Sequence, residues 1–344
     1  MYSFRNDYSE GAHPKILQAL EATNPEQTVG YGQDPRCQKA SDLIRRLCAA
    51  PEAAVHFLVG GTQTNLLVIA SVLRPYEAVV AAHTGHVNVH ETGAIEATGH
   101  KVCAVQSPDG KLTPALVESV TAAHINEHMV LPRLVYISDT TETGTVYTKA
   151  ELTALRRCCT RHGLFLYLDG ARLGSALTSP ENDLTLPDIA ALTDAFTIGG
   201  TKNGALFGEA LVLKKPDGHF RWHMKQRGAM LAKGRLLGIQ FQALLEDGLY
   251  LDLARHANEL AFRLRDGIAA LGYPFPVASP SNQQFPVVPN TVMDRLSAMG
   301  YEFEVERAAD DTHTCIRLVT SWATPEAAVE TFLKDLTSME SVFS

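Results

Sequence analysis

The sequence predicts an α/β protein with a mainly parallel sheet, followed by a smaller α+β part. From Ala53 onward, apolar runs of strand length alternate with stretches of helical pattern. The strand candidates are continuously apolar, which is typical of parallel strands covered by helices on both faces. The pattern becomes helical beyond Pro216, and four prolines between Leu271 and Val287 mark a loop-rich entry to the last part.

The larger part is predicted to contain seven strands, at residues 55–59, 78–82, 101–105, 134–138, 164–169, 195–198 and 209–213. Helices are predicted at residues 14–22, 37–49, 63–73, 91–98, 114–126, 150–162, 186–192, 219–245 (one long or broken helix), 250–271 and 325–336, with a further strand at 315–320. We place a domain boundary near Leu245, which gives a large domain at 1–245 and a small one at 246–344.

Composition excludes several classes of protein. The 344 residues are 45% hydrophobic and 20% charged, as in ordinary globular proteins. The net charge of −8 has no basic stripe, which argues against a nucleic-acid partner. The first eight residues show no signal sequence and no window reaches 18 apolar residues, so we expect a cytoplasmic protein without a membrane partner. The six cysteines form no C-x-x-C pair, and we expect reduced, packed thiols.

One lysine follows the short apolar strand that is predicted at 195–198. Lys202 lies in the turn Gly199-Gly200-Thr201-Lys202-Asn203-Gly204, where glycines allow a backbone or ligand to approach closely. An amine in a partly desolvated pocket becomes a nucleophile toward carbonyls. A surface turn lysine is the alternative interpretation of this segment taken alone.

Glycines and hydroxyls also follow the first predicted strand. Gly60-Gly61-Thr62-Gln63-Thr64-Asn65 opens a helix, and the free N–H groups at a helix N-terminus form a phosphate site. The alternative is that Thr62 or Thr64 only caps the helix. The segment matches neither a Walker loop nor a dinucleotide fingerprint.

An acidic and a basic residue follow the strand at 164–169. Asp169 ends this strand and Arg172 comes three residues later. Asp169 either pairs with Arg172 or holds a protonated ring nitrogen of a cofactor. In the second case Arg172 is available to clamp a carboxylate.

Histidines follow the strand at 78–82. His86 is placed to stack on an aromatic cofactor or to act as a base. His83, His86 and His90, with Glu91 adjacent, also raise the alternative of a metal site. We expect no metal, because Gly85 and Asn88 argue against a regular helix there.

Together these parts match the needs of pyridoxal 5'-phosphate. This cofactor requires a lysine for its aldehyde, an acid for its ring nitrogen, an anion site for its phosphate and a carboxylate clamp for the substrate.

On these residues the chain resembles the L-threonine aldolases of the β-eliminating lyase group, which are fold type I pyridoxal-phosphate enzymes. The resemblance extends from Arg5 to about Thr320. It rests on motifs at Arg5-Asn6-Asp7, Tyr31-Gly32 with Asp34, Gly61-Thr62 with Asn65, His86 and Glu91-Thr92-Gly93-Ala94, Asp169-Gly170-Ala171-Arg172-Leu173, Thr201-Lys202-Asn203-Gly204, Lys233-Gly234-Arg235 with Gly238, and Arg317-Leu318-Val319-Thr320.

The resemblance implies a role for each matching residue. It implies that Lys202 forms the Schiff base with the cofactor, that Asp169 pairs with the ring nitrogen, and that His86 stacks on the ring. Gly61 and Thr62 are implied to bind the phosphate, with Arg235 helping from a neighbouring subunit. Arg172 and Arg317 are implied to hold the substrate carboxylate. Asn6 stands near that carboxylate, and Tyr31 reaches a neighbour's site in a homodimer or homotetramer.

The chain departs from this family in one segment. Many relatives carry a second histidine near the substrate hydroxyl, whereas Ser138-Asp139-Thr140-Thr141-Glu142-Thr143-Gly144 contains none. The base that takes the β-hydroxyl proton is therefore open. His86, a water that it holds, and Glu142 are the candidates.

The implied activity is that of an aldehyde-lyase that cleaves L-threonine, L-allo-threonine or a related β-hydroxy-α-amino acid such as phenylserine to glycine and an aldehyde. One alternative keeps the cofactor and changes the reaction to β-elimination, transamination or racemisation of another small amino acid. The other is a non-catalytic binding or scaffold protein on the same fold.

Overall fold

A computed structural model describes residues 2–215 and 218–340. The described residues do not include Met1, Pro216, where the helical pattern is predicted to begin, or 341–344, the predicted end of the small domain. The strands are β1 Ala54–Leu58, β2 Glu77–Ala82, β3 Val102–Val105, β4 Leu131–Ser138, β5 Phe165–Asp169, β6 Ala195–Gly199, β7 Glu209–Leu213, β8 Gln283–Gln284, β9 Val287–Pro289, β10 Glu304–Ala308 and β11 His313–Val319.

The α-helices are α1 Pro14–Thr23, α2 Pro35–Leu47, α3 Gly61–Val72, α4 His86–Val89, α5 Pro114–Ala123, α6 Lys149–His162, α7 Leu173–Leu177, α8 Leu186–Leu192, α9 Phe220–Gln226, α10 Arg235–Leu245, α11 Leu249–Ala270, α12 Asn290–Ala298 and α13 Glu326–Glu340. A 3₁₀ turn occupies Glu96–Thr98.

The larger sheet has seven strands in the order β1-β7-β6-β5-β4-β2-β3. Strands β2 to β6 pair in parallel, and β7 runs antiparallel to both of its neighbours, β1 and β6. This confirms the predicted mainly parallel, seven-stranded sheet. In such a sheet the carboxyl ends of the parallel strands meet at one edge, where ligands bind.

Both faces of this sheet are buried, which explains why its strands are continuously apolar. In β5, Leu166 and Leu168 pack into one apolar cluster with α2, α6 and α10, whereas Tyr167 between them packs into a second cluster with α3. Successive side chains of a strand point to opposite faces, so an apolar residue is needed at every position when both faces are covered.

The helix predicted at 91–98 is wrong. The chain instead forms the four-residue helix α4, a turn, and the 3₁₀ turn at Glu96–Thr98. Thr92 and Gly93 have φ of +51° and +70°, in the left-handed region, which ends a right-handed helix. Thr84-Gly85 and Asn88 argue against a regular helix around His86, and the helix that forms, α4, spans only His86–Val89, with Gly85 before its first residue.

The helical segment predicted at 219–245 is broken rather than continuous. Helix α9 ends at Gln226 and Gly228 follows with φ of +67°. Helix α10 begins only at Arg235. Within it, a Cβ on Gly238 would lie 2.6 Å from the Cys37 backbone, so the glycine permits α10 and α2 to pack closely.

A smaller sheet follows α11. It has the order β10-β11-β8, with β9 also paired to β11, and it packs with α12 and α13 on a third apolar cluster. Only β11 and α13 were predicted here. The N-terminal residues join this part, because Ser3 pairs with Glu302 and Phe4 is buried in the third cluster. The domain boundary near Leu245 stays a prediction.

All six cysteines are buried and unpaired. None of the helices in residues 2–215 and 218–340 combines the length and the apolar character needed to cross a bilayer.

Candidate active site

A cavity of about 360 Å³ opens at the carboxyl edge of the large sheet. Its walls come from the segments that follow β1, β2, β4, β5 and β6, and from the first residue of β7. The structure therefore brings together the residues predicted at separate strand ends, namely Gly61, Thr62, His86, Asp169, Arg172 and Lys202.

Lys202 lies in the turn between β6 and β7. Gly199 brings this turn against the segment after β5, because a Cβ at Gly199 would lie 2.4 Å from the Ala171 carbonyl oxygen. Burial, reinforced by the charge of Arg172, lowers the pKa of Lys202, although Asp7 and Asp169 act against this. The lower pKa favours the free amine, which is the nucleophilic form.

Asp169 is held by several hydrogen-bond donors at the end of β5. Its Oδ2 accepts from the Asn65 side chain at 2.9 Å and from the Tyr136 hydroxyl at 2.7 Å, and its Oδ1 accepts from the Ala171 N–H at 3.0 Å. Asp169 does not form the ion pair with Arg172 that the sequence left open.

His86 is oriented by a buried carboxylate. Its Nδ1 lies 2.7 Å from Glu91 Oε1, which also accepts from the Asn65 side chain at 2.7 Å. This hydrogen bond fixes the ring of His86 in one orientation. Asn65 therefore connects Glu91, which holds His86, to Asp169. His86 and Asp169 line the same cavity.

Two of the three imidazoles considered as metal ligands have other partners. His83 Nδ1 accepts a hydrogen bond from the Ser107 N–H at 3.2 Å, and His86 Nδ1 contacts Glu91. The group of possible ligands that the described residues do bring together is Glu118, Cys158 and His162, on α5 and α6. These residues do not line the cavity.

Arg172 is paired with a residue from the far N-terminus. Its Nε and Nη2 donate to Asp7 Oδ2 and Oδ1 at 2.7 and 3.0 Å. Burial alone would raise the pKa of Asp7, but the charges of Arg172 and Lys202 outweigh it and lower that pKa. Asp7 therefore remains ionised beside Arg172.

A second cavity, of about 520 Å³, adjoins the first and shares His86, Arg172 and Lys202 with it. Arg317 on β11 lines this second cavity, with its Nε 3.4 Å from Glu306. The two predicted carboxylate-binding arginines thus face one space. Apolar walls come from Val277 and Phe285.

The phosphate-binding prediction falls at the start of α3. This helix begins at Gly61, and Gly60 precedes it in an extended conformation. The first N–H groups of a helix lack partners within the helix, and its N-terminus carries partial positive charge. Both Gly61 and Thr62 line the first cavity, so they offer donors to an anion there.

Three predicted site residues lie outside both cavities of this protomer. Asn6 Oδ1 accepts from the Tyr8 N–H and from the Ser9 hydroxyl, and it is Tyr8 that lines the cavities. Arg235 donates to the carbonyl oxygens of Thr23 and Asn24.

Tyr31 is the third of these residues, and its side chain is 44% exposed. Its ring packs against the Lys225 ammonium group at 4.6 Å, and its N–H donates to the Ala232 carbonyl oxygen. Tyr31 therefore lies beside the segment that carries Arg235.

Sequence reasoning missed Glu209. This side chain is 4% exposed and lines the first cavity, where it accepts from the Thr201 hydroxyl at 3.2 Å. Burial and then Asp169 raise its pKa to about 8, and Lys202 opposes this. The available signal was an acidic residue at the head of the apolar run Ala210 to Leu213.

The donor set of the first cavity fits pyridoxal 5'-phosphate. A helix N-terminus suits the phosphate, a carboxylate with fixed donors suits the ring nitrogen, and the lysine suits the aldehyde. The cavity volume also falls in the range of about 300–1,000 Å³ that is usual for small-molecule sites. The fold and these residues define the class of fold type I pyridoxal-phosphate enzymes.

The chain belongs to the beta-eliminating lyase family, whose family model matches residues 4–291. It is 33% identical to a low specificity L-threonine aldolase of Pseudomonas sp. (strain NCIMB 10558), over 98% of both chains. The structure of a Leishmania major threonine aldolase is similar, with a TM-score of 0.96, 51% identity and coverage of 98% of this chain and 99% of that one.

A Thermus thermophilus aspartate aminotransferase shares the fold. It matches with a TM-score of 0.69 at 16% identity and covers 96% of this chain and 90% of that one. At this identity the likeness shows the fold alone.

Proposed function

We propose that this protein is a pyridoxal-phosphate-dependent aldehyde-lyase. Its substrates are L-threonine, L-allo-threonine or a related β-hydroxy-α-amino acid such as phenylserine, and its products are glycine and an aldehyde. The observation that carries the proposal is the pair of adjoining cavities, which connects Lys202 to Arg172 and Arg317. The names of the relatives, low specificity L-threonine aldolase and threonine aldolase, support the same activity.

When bound, the cofactor supplies an electron sink that accepts the electron pair of the breaking bond. Lys202 would supply the amine for its aldehyde, and Asp169 would supply the carboxylate for its ring nitrogen. His86 would offer its ring as a stacking partner. The N–H groups of Gly61 and Thr62 at the N-terminus of α3 would bind its phosphate.

The arginines orient the substrate. Arg317 and Arg172 hold the amino-acid carboxylate. A guanidinium group matches a carboxylate in a bidentate geometry, which Arg317 offers. Arg172, whose Nε and Nη2 already donate to Asp7, contributes its remaining N–H donors. Fixing the carboxylate also fixes the direction of the Cα–Cβ bond, which decides whether that bond or the Cα–H bond breaks. The β-substituent extends into the second cavity, where Val277 and Phe285 offer apolar contacts.

The proposed working form is a cytoplasmic homodimer or homotetramer. Arg235 and Tyr31 lie outside the cavities of their own protomer, and we assign them to the site of a partner subunit. There Arg235 binds the phosphate and Tyr31 approaches the substrate. The free thiols of all six cysteines are in keeping with a reducing compartment.

The test is the visible absorbance spectrum of the purified protein, followed by product analysis with L-threonine. We expect a cofactor band that changes when glycine is added, and equal amounts of glycine and acetaldehyde from threonine. Formation of 2-oxobutanoate or another keto acid in place of acetaldehyde would contradict the aldol cleavage. Absence of a band after addition of pyridoxal 5'-phosphate would contradict the cofactor assignment.

A further inference from the structure

Glu142 lies at the boundary between the two cavities. It follows β4 at the carboxyl edge of the large sheet and lines both the cavity that contains Asp169 and the one that contains Arg317. His86 and Lys202 border the same two cavities. A substrate whose amino group is directed to Lys202 and whose β-substituent enters the second cavity passes this boundary.

Two hydrogen-bond donors fix the Glu142 carboxyl group. Its Oε1 accepts from the His86 N–H at 2.8 Å and from the Ser138 hydroxyl at 2.7 Å. Within residues 2–215 and 218–340, these are the two hydrogen bonds that other residues donate to this carboxyl group, and its own backbone N–H is a further donor. One oxygen is therefore anchored, and the second is left to accept a hydrogen bond from a ligand. Because the side chain is already held, little rotamer freedom is lost when a ligand binds.

Burial gives this carboxyl group the properties of a base. Desolvation raises the pKa of Glu142, and Asp169 adds to the effect, while the hydrogen bonds from Ser138 and from backbone N–H groups oppose it. A carboxylate of higher pKa takes a proton more readily, provided that it is ionised at the working pH.

The charged and titratable groups around it belong to several elements. Arg172, Arg317, Arg307 and Lys202 are cationic, and His83, His86 and His90 are imidazoles. Asp169, Glu209 and Glu306 are acidic, and Tyr8 and Tyr136 add phenolic groups.

The histidines are less suited to this task. His86 Nδ1 is engaged by Glu91, which leaves Nε2 as an acceptor, but the proposed function uses the face of its ring against the cofactor. His90 is exposed, and its ring lies 5.5 Å from that of His86 between centroids. Glu142 Oε2 takes part in neither of the two hydrogen bonds that other residues donate to Oε1, and the anchoring of Oε1 fixes its direction.

We propose that Glu142 is the base that takes the β-hydroxyl proton of the substrate, an inference that rests on the proposed function. The O–H bond breaks and its proton moves to Glu142 Oε2, which becomes a carboxylic acid. The electron pair left on oxygen forms the aldehyde C=O bond as the Cα–Cβ bond breaks, and the electrons of that bond stay with the glycine half. The glycine half gains one proton at Cα and Glu142 gives one up, so protons balance.

The first test is E142Q, which keeps an acceptor for Ser138 and for the His86 N–H but removes the charge. We expect kcat for L-threonine to fall about 100- to 10,000-fold, the usual contribution of general acid–base catalysis. The cofactor absorbance and the affinity for glycine should be unchanged, which verifies the fold. Turnover of E142Q within threefold of the wild type would overturn the base role. Absence of acetaldehyde from the wild type would instead overturn the proposed function.

The second test measures binding rather than turnover. L-serine and L-alanine differ only in the hydroxyl group, so the ratio of their dissociation constants measures the contact with that hydroxyl. We expect this ratio to depend on pH in the wild type as Glu142 ionises. E142Q should lose this dependence and keep the L-alanine affinity. H90Q serves as the rival variant. Loss of the pH dependence in H90Q but not in E142Q would overturn the proposal in favour of His90.

Chemical rescue keeps the proposal testable if E142Q folds poorly. In E142A, added formate offers a small carboxylate in the space of the missing side chain, and we expect turnover to rise with formate concentration. The wild type should show no such increase. A well-folded E142A that formate does not activate would contradict the base role.

Discussion

Asp7 and Arg172 form a buried, bidentate ion pair although 164 residues separate them in the chain. Both N···O distances are short, at 2.7 and 3.0 Å, and Asp7 is only 1% exposed. The Asn282 side chain donates to the same carboxylate at 2.9 Å. The N-terminal segment thereby fixes the guanidinium group that we assign to the substrate carboxylate.

We expect D7N to raise the KM for L-threonine about tenfold or more. A hydrogen bond to a charged group contributes about 1.5–3 kcal/mol, and about 1.4 kcal/mol corresponds to a factor of ten. Steady-state kinetics measures the effect. The control is D252N, which breaks the exposed Asp252–Arg255 pair of similar length, 2.7 Å, and should leave KM unchanged. Equal KM values for both variants would show that Asp7 does not position Arg172.

The sequence predicts the large sheet well because each of its strands carries its own signal. A run such as Ala195 to Ile198 is apolar at every position, and burial on both faces requires this. Lys202 and Asp169 could be found for a related reason. Asp169 ends one such strand and Lys202 follows another, and chain order alone places them at the same edge of the sheet.

The pairing of Asp7 with Arg172 could not be predicted in this way. It depends on the path of the N-terminal segment over the rest of the protein, and no local sequence pattern predicts that path. The connection of Asn65 to both Glu91 and Asp169 is similar, because each partner lies on a different element. The helix predicted at 91–98 does not form because Thr92 and Gly93 adopt left-handed backbone angles, which apolar spacing does not reveal.

Removing Lys202 tests the covalent role of the turn after β6. K202A should lack both turnover and the visible cofactor band, because Lys202 is the one lysine among the described residues that line the first cavity. Absorbance and the acetaldehyde assay measure the two effects. K15A, at an exposed lysine on α1, is the control and should retain both. Near-normal turnover in K202A would exclude Lys202 as the cofactor lysine.

Asp139 makes stability depend on pH. It is 1% exposed, and burial raises its pKa from 3.8 to about 8, with the Tyr147 N–H acting against this. Between these values the folded protein retains a proton that the unfolded chain has lost. Asp139 therefore makes its full contribution to the free energy of unfolding at pH values below its pKa in the unfolded chain. That contribution is lost as the pH rises toward about 8.

We expect D139N to flatten this dependence, because the amide does not titrate and can still accept from the Tyr147 N–H. Thermal unfolding midpoints measured from about pH 5 to about pH 8 should fall less in D139N than in the wild type. D252N, at an exposed aspartate, should follow the wild type. A parallel fall in D139N and wild type would mean that Asp139 is ionised in the folded protein throughout.

Mixing subunits tests whether Arg235 acts across an interface. In a heterodimer of K202A and R235A subunits, a shared site leaves one of the two sites with both the lysine and the arginine intact. We therefore expect the mixture to regain activity that neither variant has alone. If Arg235 acted within its own subunit, each site would keep one defect and the mixture would stay inactive.

Differently tagged subunits, co-expressed and purified on both tags, allow the acetaldehyde assay to be made on heterodimers only. Arg235 already donates to the Thr23 and Asn24 carbonyl oxygens of its own chain, so the thermal midpoint of R235A must be measured beside its activity. A midpoint close to that of the wild type, with activity restored only in the heterodimer, assigns the lost function to the partner's site.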